Sequence, residues 1–191
     1  MNGKLGFARI IRCALLSLML AWLTACASGP RVVDHAFEFS ASSDSPGVEV
    51  LDYRYGDSRH PGTRASPERG SEGKPTGGTG INGAMRVGDD LYVKWRIKAT
   101  GEVFEDTVDL KSRLPEDITD HRIYFIVESQ KLYVYLISRN PVRGYLTPDE
   151  VAKLDREMTT PRQKALRMYI RHKITRLYPD HPQINKTNQG E

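Results

Sequence analysis

Two apolar runs joined by a short polar break constrain this chain more than any other feature. Residues 123–128 place Tyr124 and Ile126 opposite Phe125 and Val127, and residues 132–138 place Tyr133, Tyr135 and Ile137 opposite Leu132, Val134 and Leu136. Successive side chains of a strand point to opposite faces, so strands that are apolar in both phases must be covered on both. The pair is expected to be a hairpin closed around Ser129 and Gln130 in the interior of a sheet. The C-terminal region offers one cover. Thr147-Pro148-Asp149-Glu150 and Thr160-Pro161-Arg162-Gln163 each set a capping threonine before a proline at the first helical position, with Glu or Gln three residues after the cap. The second helix is predicted to run to about residue 178 on a stripe of Leu166, Tyr169, Ile170, Ile174 and Leu177. Pro179 and Pro182 end it, and residues 179–191 read as a polar tail.

Upstream, residues 91–98 alternate Leu91, Val93, Trp95 and Ile97 with Tyr92, Lys94, Arg96 and Lys98, as expected of a strand with one wet face. A turn at 99–102, with Gly101 free to take positive φ, leads to residues 103–110. That return strand sets Phe104, Val108 and Leu110 against Glu105, Thr107 and Asp109, acids expected opposite the cations of its partner. Residues 48–55 form a further strand. The fold class is therefore α+β: an antiparallel sheet of about five strands with one or two C-terminal helices packed on it, a small β-sandwich being the alternative. Between them, residues 56–83 hold eight glycines and three prolines with almost no large apolar side chain. Such composition cannot repay the entropy of ordering through its own core, so 57–83 is expected to be a flexible loop.

The N-terminus carries Lys4, Arg9 and Arg12 ahead of an 11-residue apolar run, 13–23. This is the layout of a signal peptide, and the run is short of the roughly 20 residues a membrane-spanning helix needs. The run ends in Leu23-Thr24-Ala25-Cys26, which resembles the lipobox of bacterial lipoproteins. The resemblance implies cleavage before Cys26, a diacylglyceryl group on its thiol and an anchor in the membrane. It divides the chain into a signal peptide (1–25), a lipidated tether (26–46), one domain (47–178) and the tail. Val32, Val33, Phe37 and Phe39 interrupt the tether and suggest a short edge strand. In the same family an aspartate after the lipidated cysteine favours the inner membrane; Ala27 and Ser28 here imply the outer membrane, facing the periplasm.

Removing the leader changes the electrostatics. The chain's net charge of +4 comes from 28 basic and 24 acidic residues, and the leader's three cations leave 25 against 24, or +1. A nucleic-acid partner calls for a basic domain, and none is expected. Of two cysteines, Cys13 leaves with the leader and Cys26 is the lipidation site, so packing alone must hold the domain.

Gly56-Asp57-Ser58 after a strand resembles the first block of the GDSL hydrolases, in which the serine is the nucleophile and a histidine in a D-x-x-H setting the base. Here Asp180 and His181 are adjacent, and the family's further glycine and G-x-N-D blocks are missing. Turn chemistry accounts for the same three residues. The five histidines, His35, His60, His121, His172 and His181, show no H-x-x-x-H or H-x-H spacing. Asp106, Asp109, Glu116, Asp117 and Asp120 lack the order of a calcium loop. No cofactor or metal is expected. One charge run stands out: Arg162, Lys164, Arg167, Arg171, Lys173 and Arg176, with no acid between them. The run reads first as a solvated outer face over the apolar stripe; the alternative is a docking surface for an acidic partner or anionic lipid headgroups, with Arg162, Lys164, Arg167, Arg171 and Arg176 as the candidate partner-binding residues.

Residues 87–138, with strand hairpins around Tyr92-Val93-Lys94-Trp95 and Tyr133-Val134-Tyr135, resemble small uncharacterised proteobacterial lipoproteins that accompany type VI secretion effectors, phospholipases among them, and are taken for their immunity proteins. That likeness implies a toxin partner bound and blocked in the periplasm. The functional expectation is a non-enzymatic envelope lipoprotein with a structural or assembly role, with immunity as the alternative and a GDSL-like esterase as a remote one.

Overall fold

The computed structural model describes residues 31–66 and 74–180, and a unit of the fold begins at Val32. The leader, Cys26 and His181 lie outside the described residues. The unit opens with β1 (Val32–Ser40), a short helix α1 (Ala41–Asp44), β2 (Val48–Tyr55) and β3 (Gly78–Arg86). Then come β4 (Asp90–Ile97), β5 (Val103–Asp109), β6 (His121–Glu128) and β7 (Lys131–Pro141). It closes with α2 (Pro148–Glu157), α3 (Pro161–Leu166), a 3-10 turn (Arg167–Tyr169) and β8 (His172–Tyr178).

The class is α+β, but the strands fall into two sheets. One has the order β3-β1-β6-β7-β8 and is mixed, because β1 runs parallel to β6; the other is antiparallel, β2-β4-β5. The doubly apolar hairpin is the interior pair β6–β7, with Ser129 at its turn in the left-handed region (φ 57°). Both of its covers exist. Phe125, Val127, Leu132 and Val134 join Tyr53, Leu91, Trp95 and Val108 of the smaller sheet in one core. On the other face Tyr124, Ile126, Tyr135 and Ile137 pack under Ala165 and Tyr169.

Four expectations need correction. The stretch assigned to the tether contains β1, which is an interior strand between β3 and β6, not an edge. Its alternate residues enter the core: Phe37 stacks on Tyr55 (centroids 4.8 Å apart, planes 6° apart) and Phe39 on Phe125 (4.3 Å). His35 continues that face, fully buried, with Nδ1 2.9 Å from the Val33 carbonyl and Nε2 2.9 Å from the Tyr55 hydroxyl. Aromatic partners far along the chain, not local composition, make this segment a strand.

The expected loop 57–83 is largely ordered where it is described. Thr63 is buried, its backbone N–H bonding the His60 carbonyl (3.1 Å) and its carbonyl accepting from Tyr55 N–H (2.7 Å). Bridges tie Arg64 to Arg54 and Thr76 to Val50. The end of the segment is β3, paired with β1 from Gly78 opposite Ser40 to Arg86 opposite Val32. A β-carbon at Gly78 would sit 2.6 Å from the Phe39 carbonyl oxygen, and Gly83 has φ +127°, so these glycines serve the strand's close approach and its twist.

The single helix to residue 178 breaks. It ends at Leu166, passes through the 3-10 turn and becomes β8, which pairs Ile174 with Ile137 and Arg176 with Tyr135. Its start is as expected: the Thr160 hydroxyl accepts from Gln163 N–H (3.2 Å) and the Gln163 side chain from Thr160 N–H (3.0 Å). Thr147 and Glu150 make the same box at α2. The fourth correction concerns the β4–β5 charges. Lys94 does face Glu105 (3.8 Å), but Arg96 turns to Glu49 on β2 (3.4 Å) and Asp109 faces Asp90.

Candidate functional site

Because the expected helix breaks, the basic run does not form one face. Arg162 is fixed on the outer sheet face: it pairs with Glu128 (3.2 Å), donates to the Tyr135 hydroxyl (3.2 Å) and lies 4.3 Å over the Tyr133 ring. Burial opposes its charge, yet these bonds hold it above the ordinary arginine value. Arg167 is paired with Asp155 of α2 (2.6 Å). Arg176 points into a separate cleft of about 450 Å³ with Lys131, Tyr133 and Tyr178. Lys164 and Arg171 remain near one another in the chain but on different neighbours: Lys164 lines a groove beside α2, and Arg171 lies 3.7 Å over Tyr145. Two of the five candidates are thus consumed by ion pairs within the fold.

Ser58 of the G-D-S block is buried, and its hydroxyl accepts from His60 N–H (3.3 Å). Its carbonyl is held by Thr63 (3.0 Å) and Arg64 (2.8 Å). The block is a turn that fastens the 58–64 segment. Among the described residues no three His, Cys, Asp or Glu side chains gather as a metal site.

A polar network that no stretch of sequence announces lies beneath α3. Tyr124 donates its hydroxyl to Asp44, whose other carboxylate oxygen lies 2.7 Å from Ser43 Oγ. Asp44 is only 6% exposed. Arg122 pairs with Glu38 (2.7 Å) and faces the Tyr169 ring (5.0 Å), and that ring meets Tyr124 edge-on at 5.2 Å. Burial, followed by the bond to Asp44, pushes the Tyr124 phenol far up. Burial and the charge of Glu38 push Tyr169 up to about 12. Both phenols are thus held neutral and donate hydrogen bonds to the carboxylates beside them, Tyr124 to Asp44 and Tyr169 to Glu38 (3.5 Å). The network fastens α1 and the 3-10 turn to the sheet. Its members are scattered over residues 38–169, so no local motif announces it.

Alkaline stability follows from these phenols. An unfolded tyrosine loses its proton near pH 10, whereas Tyr169 keeps its proton to about 12. The unfolded chain then binds fewer protons, so this contribution is intact below about pH 10 and lost as pH rises to about 12. Unfolding followed together with tyrosinate absorbance should show the two rising in step across that window. Stability unchanged to pH 12 would contradict the buried placement.

Above the network lies a groove of about 470 Å³ whose apolar walls are Leu146, Val151, Leu154, Met168 and Ile170. Ser43, Asp44, Lys164 and Arg167 add polar and charged groups to its lining. Compared with protein-family models, curated proteins and solved structures, the chain matches none.

Proposed function

We propose that the chain is a membrane-anchored, periplasm-facing lipoprotein that works by binding, in a structural or assembly role in the envelope, and not by catalysis. The observation that carries this is Leu23-Thr24-Ala25-Cys26 behind a charged, apolar leader. The burial of Ser58 in a turn and the closed hydrogen bonding of Asp44 and Tyr124 support a non-catalytic role. Density-gradient fractionation of cells tests the placement: the parent protein should sediment with outer membrane, and Cys26→Ser should not. Ester hydrolysis by the purified protein that disappears in Ser58→Ala would replace binding with catalysis.

A second reading, immunity against a type VI secretion effector, is favoured by the wet face of the small sheet. There Arg54, Tyr92, Lys94 and Glu105 form a polar surface with Arg54 bound to Asp90 (2.9 Å) and Tyr92 to Glu105 (2.9 Å). A pull-down with the product of a neighbouring effector gene separates the two roles.

A further inference from the structure

Of the five large hydrophobic side chains left exposed among the described residues, three belong to one lobe: Val142 (66% exposed), Tyr145 (87%) and Met168 (67%). Loop 141–146 and the turn 167–171 are stitched together there. Val142 N–H donates to the Arg171 carbonyl (2.8 Å), Arg143 Nε to the Ile170 carbonyl (2.7 Å) and Arg171 Nε to the Arg143 carbonyl (3.4 Å). The Arg171 guanidinium stacks on the Tyr145 ring at 3.7 Å. The loop stands away from the body, since a β-carbon at Gly144 would meet nothing within 4 Å.

The charges of this lobe favour anions. Arg143, Lys164 and Arg171 make no ion pair among the described residues, whereas the nearby acids are mostly engaged. Asp155 is taken by Arg167, Glu150 caps Thr147 and also feels the charge of Arg143, Asp44 lies below, bonded to Tyr124, and Asp149 is without an ion pair. Tyrosine, methionine and arginine are also common at protein interfaces, but lysine is depleted there, so what favours a lipid surface is the set of cations, Lys164 among them, standing beside exposed apolar tips. They match the headgroup boundary of a bilayer, where tyrosine and apolar tips enter the interface and arginine and lysine meet lipid phosphates.

We propose that loop 141–146 and the turn 167–171 dock on an anionic phospholipid surface, a second and non-covalent membrane contact that rests on the lipoprotein reading above. It would hold the domain against the bilayer from which the chain is tethered.

The unit from Val32 encloses its own core, the mark of a domain able to fold alone, so a chain of residues 32–191 serves for the test. Its co-sedimentation is measured with vesicles of phosphatidylglycerol and phosphatidylethanolamine and with vesicles of phosphatidylcholine alone. Partition onto the anionic vesicles only is expected. Arg143→Gln with Arg171→Gln should lower it roughly twenty-fivefold, at about fivefold for each cation. Tyr145→Ser with Met168→Ser, two mostly exposed side chains, should lower it about tenfold with thermal stability changed only by the small loss of the exposed Arg171–Tyr145 stack. Equal partition onto both vesicle types, none at all, or indifference to both double substitutions would overturn the proposal and leave the lobe to a protein partner. The test chain lacks Cys26, so its result is independent of whether that residue is lipidated.

Discussion

Phe37→Ala should destabilise the domain by about 3–5 kcal/mol, the cost of emptying a fully buried aromatic site. Phe37 is 0% exposed, stacks on Tyr55 and contacts the rings of Tyr53 (6.0 Å) and Phe125 (6.1 Å). It therefore joins β1 to both sheets, and its loss opens a cavity where they meet. Against a total stability of about 5–15 kcal/mol for a domain, a loss of that size leaves little in reserve. In urea the midpoint should fall with the slope preserved, and Phe37→Leu should cost less. A loss below about 1 kcal/mol would mean that β1 is peripheral, as a tether would be.

Tyr124→Phe should cost about 3 kcal/mol although it removes a single oxygen, because the Asp44 carboxylate then stays buried without its main donor. Tyr124 is 1% exposed and Asp44 6%. The energy lies in the unpaired charge, so Asp44→Ala added to Tyr124→Phe should cost less than the two single changes together. A double-mutant cycle measures that difference. Strict additivity would show that the two side chains do not act as a pair.

How far the sequence disclosed this fold depends on how local each signal was. The β6–β7 hairpin was legible because both of its faces are apolar within 16 residues, 123–138. The two threonine caps were legible because a capping box is complete in four residues. β8 was read as helix because Leu166, Tyr169, Ile170, Ile174 and Leu177 fit the helical period. Only Ile174 and Leu177 of these lie in β8, where they pack into different clusters on opposite faces, and the open edge of β7 at 135–137 decides for the strand. β3 has no apolar pattern of its own, since four of its first six residues are glycine or asparagine; its strand form comes from β1. β1 is hard to read locally because its apolar residues are interrupted by His35 and Glu38, of which one is buried against Tyr55 and the other is paired with Arg122.

The candidate site divides in the same way. A basic run is visible in sequence, but which cations stay available depends on acids that the fold brings near, Glu128 to Arg162 and Asp155 to Arg167. The exposed lobe of Val142, Tyr145 and Met168 joins two segments more than 20 residues apart and has no sequence signature. The anchor is the reverse case: it is written in four consecutive residues, 23–26.

Metabolic labelling with a palmitate analogue, comparing the parent with Cys26→Ser, tests the membrane anchor most directly. Label should appear on the parent chain and be absent from the variant. Equal incorporation in both, or none in either, would contradict lipidation at Cys26 and with it the anchored role.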